Sequence, residues 1–183
     1  MIIDDIYFTL KDGRKVLLRC PKQEDILGAL DYVNLSASET NFIYRSSEDC
    51  VRYTYESEKL LFEAVNAAAD HLMLFCVIDG KIAGNCEIVL KNKTKTRHRA
   101  SVAIALLKDY WGQGLGGRML DELIIIARQI EYVTQIEIKL IEGNTRGRAM
   151  YEKKGFRICG VIPDGIRLSD GTLLNEYIMM LKL

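Results

Sequence analysis

Tyr110-Trp111-Gly112-Gln113-Gly114-Leu115-Gly116-Gly117-Arg118 is the stretch on which the reading of this chain turns. An apolar run, Ala100 to Leu107, precedes it. After it, Leu115, Met119, Leu120, Leu123, Ala127 and Ile130 recur at helical spacing, which predicts an amphipathic helix. Ile136, Ile138 and Leu140 then alternate with Glu137 and Lys139, which predicts a half-buried strand. Strand, helix, strand in that order is a βαβ unit with parallel strands. Four of the six residues 112–117 are glycines. They let the backbone approach a ligand closely, and the first N–H groups of the following helix are unpaired. A loop of this kind is an anion site suited to phosphate. Its structural alternative is a turn that only permits tight strand–helix packing.

The loop alone leaves the phosphate ligand open. Residues 112–117 satisfy GxGxxG, the dinucleotide fingerprint, and Glu131, Glu137 and Glu142 lie near the distance of a ribose-binding acid. Walker A fails, because Arg118-Met119 stands in place of Lys and Ser/Thr. Context speaks against a dinucleotide fold, which repeats βαβ units and carries the fingerprint in the first of them. Here about a hundred residues of helices and antiparallel strands come before the loop.

Working outward, Lys11-Asp12-Gly13-Arg14 is a turn and Val16 to Cys20 a short strand. Pro21 opens a helix with Glu24 and Asp25 in its first turn, where the helix dipole favours acids. A second helix runs from about Ser57 to Asp70. Leu72–Ile78 and Ile82–Leu90 are strands joined by the hairpin signal Asp79-Gly80, and with Arg99–Leu107 they form an antiparallel meander. Asn144 to Lys154 is a helix closed by Gly155. Strands at Phe156–Val161 and Leu174–Leu181 follow, with turns at Asp164-Gly165 and Asp170-Gly171. The expected fold is α/β, a mixed and mostly antiparallel sheet with one parallel crossover, in a single domain over residues 1–183.

Composition narrows the classes. The 183 residues carry 25 Lys+Arg against 25 Asp+Glu, and 49% are apolar. A balanced charge supplies no long-range field for nucleic acid or an anionic membrane. The stretch Lys91, Lys93, Lys95, Arg97, Arg99 reads as a solvated hairpin protecting an edge. The longest apolar runs fall far short of the ~20 residues of a membrane span, and MIIDDIYF lacks the basic segment of a secretory signal. Five Cys without CxxC spacing, most of them in apolar runs, read as small buried residues of a reducing cytoplasm. His71 and His98 lack zinc-ligand spacing, so no metal is expected.

The strand Val102-Ala103-Ile104-Ala105-Leu106, followed by Tyr110 to Gly116, resembles the acetyl-CoA motif of the GNAT acyltransferases. Asn144, then Tyr151 seven residues on, then Gly155-Phe156, resembles that family's second signature. Asp12-Gly13-Arg14 through Arg19 to Glu24-Asp25 is similar to the opening of many members. The resemblance implies a GNAT-like fold and transfer of an acetyl group from acetyl-CoA to a primary amine of a small molecule, amino acid or peptide. It implies that Ile104, Ala105 and Leu106 offer main-chain groups to the pantetheine arm. It further implies that Gly112, Gln113, Gly114, Leu115, Gly116 and Gly117 cradle the pyrophosphate, and that Asn144 bonds the pantetheine arm. Asn144 is also well suited to cap the next helix, and the two roles are compatible. Tyr151 would protonate the departing thiolate, which a phenol of ordinary pKa near 10 can do at neutral pH; a core tyrosine is the plain alternative. Trp111 stands where the family often has Gln or Arg. Some members place a Glu on the strand before the loop as a base, and this chain has none between Arg99 and Leu107. Glu87 and Glu142 are weak substitutes, and Arg118 is a candidate phosphate contact. The resemblance argues against an acyl-enzyme route through Cys86 or Cys159, and neither cysteine has a nearby His in sequence. Glu39, Tyr44, Glu48 and Tyr53 are candidate lining residues of the acceptor pocket. A homodimer is common in the family. A non-catalytic CoA-binding module and a nicotinamide-binding protein are the alternatives.

Overall fold

In the computed structural model, which describes all 183 residues, the alternating apolar runs assemble into one eight-stranded sheet. Along the chain come β1 (Ile6–Thr9), β2 (Lys15–Arg19), α1 (Ile26–Glu39), α2 (Tyr55–Ala67), β3 (His71–Ile78), β4 (Lys81–Leu90), β5 (Arg99–Leu106) and α3 (Leu115–Arg128). They are followed by β6 (Gln135–Ile141), α4 (Thr145–Lys153), β7 (Arg157–Arg167) and β8 (Leu173–Lys182). The sheet order is β1-β2-β3-β4-β5-β6-β8-β7. Every neighbouring pair is antiparallel except β5 and β6. This is the mixed sheet with one parallel crossover expected from the sequence. No helix is long and apolar enough to cross a membrane.

Strand alternation divides the sheet's side chains between two cores. On β3, Leu72, Leu74 and Cys76 enter a cluster of 28 buried residues with α3, Tyr151 and Phe156, while Phe75 enters a cluster of 10 with α1 and Phe62 of α2. The helices α3 and α4 therefore cover one face and α1 and α2 the other. In α3 the predicted stripe is buried: Leu115, Met119, Leu120, Leu123 and Ala127 are each at most 1% exposed. The β3–β4 hairpin has positive φ at both Asp79 (50°) and Gly80 (75°), the backbone a two-residue turn of this hand requires.

The feature that positions the site is a split. The parallel ladder pairs Arg99 with Gln135, Ala100 with Ile136 and Ser101 with Glu137, and then stops. Yet β5 continues to Leu106 and β6 to Ile141. Beyond residue 101 the two strands diverge, and a cleft of about 700 Å³ opens between their C-terminal ends.

Several expectations are corrected. Residues 6–9 form a strand that the sequence reading missed; β1 is an edge strand of four residues held by pairing to β2. The first helix does not begin at Pro21. A short 3₁₀ turn over Gln23–Asp25 precedes α1, because Asp25 is engaged elsewhere: its carboxylate binds the Arg19 guanidinium (2.5 and 2.6 Å) and the Lys22 N–H (2.8 Å). Asp164-Gly165 does not end a strand. It is an irregularity inside β7, which pairs with β8 on both sides of it, at Ile162↔Glu176 and Ile166↔Leu174. Four of the cysteines are buried, and Cys159, on the outermost strand β7, is exposed.

Candidate active site

Local chain geometry builds the loop between β5 and α3. Gly112 (φ 76°) and Gly114 (φ 85°) adopt the left-handed region, and a Cβ at either would meet nothing within 4 Å. Glycine is needed there for backbone conformation, not for room. Gly116 differs: its φ is ordinary, but a Cβ would lie 3.1 Å from Met150 Sδ on α4. The first helical hydrogen bond of α3 is Arg118 N–H to Gly114 C=O (3.1 Å), and no side chain caps the helix. The main-chain N–H groups of residues 112–117 consequently find no acceptor within the protein. Six consecutive free donors at the positive end of a helix dipole form an anion cradle.

The strand alternation of β5 decides which of its main-chain groups face the cleft. Lys91 N–H binds Arg99 C=O, and Leu107 N–H binds Ala83 C=O. With the unbroken β4–β5 register, residues 99, 101, 103, 105 and 107 direct their main chain to β4. Residues 102, 104 and 106 direct theirs to the other side, where β6 has moved away. Ile104 and Leu106 therefore present N–H and C=O groups to the cleft. Ala105 does not. It lines the cleft with its side of the strand, but its main chain faces β4 and its carbonyl also accepts from Tyr32 Oη (3.3 Å). The Leu106 carbonyl accepts from the Trp111 indole (2.8 Å), and the Arg146 guanidinium stacks on that indole at 4.4 Å. Trp111 thus braces the loop against β5 and holds a cation from α4 at the cleft rim.

Of the residues predicted to bind cofactor, all but Gln113 line the cleft. The Gln113 side chain ties the loop to its surroundings: its amide donates to Asp109 C=O (2.6 Å) and its oxygen accepts from Arg14 at the β1–β2 turn. Asn144 does cap α4, its Oδ1 accepting from Gly147 N–H at 2.9 Å. Its side-chain NH₂ has no protein acceptor and lies at the cleft. Tyr151, two turns along α4, is 6% exposed and packs against Phe156. Its hydroxyl makes no hydrogen bond within the protein, and it lines the same cleft. Burial pushes its pKa up to about 12, so the phenol keeps its proton at neutral pH.

The weaker candidates resolve individually. Glu87 is bound to His71 Nε2 at 2.8 Å. Glu142 accepts from Asn175 N–H (2.9 Å) and Tyr177 Oη (3.3 Å). Glu137 pairs with Arg99. Arg118 pairs with Glu122 and lies over the Phe8 ring (5.2 Å) while still lining the cleft. Cys86 is fully buried and burial pushes its thiol well above the ordinary range, so it is no nucleophile. Glu39 accepts from Lys108 N–H (2.7 Å), Tyr53 packs on the smaller core and Glu48 is exposed. Tyr44 crosses to β8 and donates to Glu176. Thr40, Phe42 and Ile43 form one wall of the cleft. Sequence reasoning named Glu39, Tyr44, Glu48 and Tyr53 as lining residues and not these three, since the segment has no period. It missed Glu176 altogether, a 5%-exposed carboxylate hidden in an ordinary strand pattern.

Residues 38–156 match the family model described as Acetyltransferase (GNAT) family. Among curated proteins none matches the sequence. An acetyltransferase of the GNAT family from Streptococcus pneumoniae superposes with a TM-score of 0.84 at 24% identity, over 92% of this chain and 99% of that one. Ribosomal-protein-alanine N-acetyltransferase from Brucella melitensis gives a TM-score of 0.77 at 22% identity, over 91% and 99%. Phosphinothricin acetyltransferase from Sinorhizobium meliloti, solved with acetyl-CoA, gives 0.77 at 17% identity, over 92% and 88%. The chain belongs to the GNAT acetyltransferase family.

Proposed function

We propose that this protein transfers an acetyl group from acetyl-CoA directly to a primary amine of a small molecule, amino acid or peptide, with Tyr151 as general acid. The observation that carries this reading is the convergence on one cleft of three sets of polar groups that face it. These are the free N–H groups of 112–117, the main-chain edge of β5 at Ile104 and Leu106, and the unpartnered Tyr151 hydroxyl. Each fits one part of acetyl-CoA: the cradle a pyrophosphate, the strand edge the amides of a pantetheine arm, and the phenol a sulfur about to leave. The structures of relatives solved with acetyl-CoA support the same ligand.

Acetyl-CoA, when bound, supplies an activated thioester carbonyl. The residues of this chain do the rest. The loop holds the anionic end through main-chain donors, so affinity depends on backbone geometry more than on charge. Ile104, Leu106 and the Asn144 amide orient the arm. Tyr151, kept protonated by burial, donates its proton to the leaving sulfur. The literal dinucleotide fingerprint gains nothing from the fold, because β5–β6 is the only parallel pair and Glu137 and Glu142 already have partners.

The test is calorimetric titration with acetyl-CoA, with NADH as control. Micromolar acetyl-CoA binding and no NADH binding is the expected result. Absence of acetyl-CoA binding overturns the reading, and binding without transfer to any amine favours a CoA-binding module.

A further inference from the structure

The acetyltransferase reading leaves two proton problems. The amine must lose a proton as its bond to carbon forms, and Tyr151 must recover the proton it gives to sulfur. The carboxylates near the loop in sequence are committed elsewhere, Glu87 to His71 and Glu142 to Asn175 and Tyr177. Two further carboxylates are buried and linked toward the cleft: Glu122, held by Arg118 on the loop side, and Glu176, on the side of the acceptor wall. Glu176 on β8 is 5% exposed and lies opposite Ile141, the last residue of β6, two residues before Gly143. One of its oxygens is held by Lys139 Nζ (3.0 Å), and the other accepts from the Tyr44 hydroxyl.

The surroundings are shaped around that pair. The irregularity of β7 brings Gly165 over Glu176, where a Cβ would come within 3.1 Å of Glu176 Cβ and 3.2 Å of Ile162. Tyr44 itself is exposed, at the end of the segment whose Phe42 and Ile43 wall the cleft; the Phe42 ring is 3.5 Å from where a Cβ would sit on Gly143. Register places Glu176 with Lys139 and Ile141 on the face opposite the α3–α4 core, and Asn85, Ala103 and Ala105 lie on that same face across the split. Tyr151 reaches the cleft from the other face.

We propose that Tyr44 and Glu176 form the proton relay of this site, with Tyr44 as the group that meets the amine and Glu176 as the positioning residue that receives the proton through it. The inference rests on the acetyltransferase reading. As the N–C bond forms and the C–S bond breaks, the nitrogen gives a proton to the Tyr44 oxygen while the Tyr44 proton passes to Glu176. Tyr151 gives its own proton to the departing sulfur. The proton on Glu176 then leaves through the exposed Tyr44 to solvent, and Tyr151 regains its own proton from solvent in the cleft. The sum is amine plus acetyl-CoA to amide plus free thiol, with every side chain restored. Lys139 Nζ, 3.0 Å from Glu176, holds the carboxylate in place between turnovers.

The experiment measures thiol release by the whole protein with acetyl-CoA and four amine probes: spermidine, L-methionine, kanamycin and an alanine-terminated tetrapeptide. Acetyl-CoA affinity is measured in parallel. Glu176→Gln keeps the shape and removes the proton acceptor; Tyr44→Phe removes the link. The expected result is a fall in kcat of about 10²-fold or more in each, unchanged acetyl-CoA affinity, and a double variant no slower than the worse single one, as members of one chain behave. Glu176→Asp restores part of the rate. Glu176→Gln also brings the titration of Tyr44, followed by ¹³C NMR of ring-labelled tyrosine, down toward the ordinary phenol range. Full activity in either single variant, or losses that multiply in the double, overturns the relay alone. Acetyl-CoA binding without turnover of any probe by the wild type overturns the relay and leaves a binding module. Failure of the wild type to bind acetyl-CoA overturns the underlying reading.

Discussion

The two sides of the cleft are built from different materials. The loop side, 112–117 with the edge of β5, is made of main chain: free N–H groups, positive-φ glycines and strand carbonyls. The far side is made of side chains: Thr40, Phe42 and Ile43 wall the cleft, and Tyr44, next in the chain, joins Lys139 on Glu176 of β8. A main-chain site depends on where the backbone can go, which a few glycines determine. A side-chain site depends on which distant residues meet. The first kind suits an invariant ligand, and the second can change its specificity without disturbing the cradle.

The comparison predicts that chemistry and binding separate by mutation. The largest effect is expected from Tyr151→Phe, which removes the acid and keeps the ring: kcat falls by about 10²–10⁴-fold, with acetyl-CoA affinity unchanged by calorimetry. A variant at full speed would return Tyr151 to the role of a core tyrosine.

Gly114→Ala acts on the opposite property. Forcing an alanine into the left-handed region costs about 1–2 kcal/mol, and acetyl-CoA binding weakens by about 10-fold if the loop relaxes away from it. Gly116→Ala sharpens the contrast, because its φ is ordinary and the nearest atom belongs to the flexible Met150. Its affinity is expected to change less. Equal losses at the two positions would mean that space, not backbone direction, makes the cradle.

Asn144→Ala removes the N-cap of α4, which carries Tyr151 and the Arg146 that stacks on Trp111. Stability measured by urea unfolding is expected to drop by about 1 kcal/mol. If Asn144 only caps the helix, acetyl-CoA affinity will stay at the wild-type value, and the assignment of its free amide to the ligand is lost.

The smallest effect concerns pH. Burial raises Tyr32 and Tyr151 from 10.0 to about 12 in the folded protein. A raised pKa means the native state holds its proton longer than the unfolded chain. The stabilisation is therefore complete below pH 10 and is lost as pH climbs from 10 toward 12. Urea midpoints at stepped pH are expected to decline over that window, and less steeply in Tyr32→Phe. A decline that begins well below pH 9 would point to other groups.

What the sequence determined by itself is local. Glycine spacing in 112–117 sets a loop whose N–H groups point outward whatever surrounds it. The apolar stripe of α3 and the alternation of 136–140 set a parallel crossover, because handedness and period leave few alternatives. The seven-residue step from Asn144 to Tyr151 puts both at the cleft because a helix fixes that spacing. Tertiary structure decided the rest. The strand Ile6–Thr9 exists through its pairing with β2. Asp25 abandons the helix dipole for Arg19. The cleft opens because β5 and β6 stop pairing after Ser101 and Glu137, which no single strand encodes. Tyr44 and Glu176 lie 132 residues apart in the chain. They meet only because β8 inserts beside β6, and a contact of that range depends on the whole sheet order and not on any local pattern.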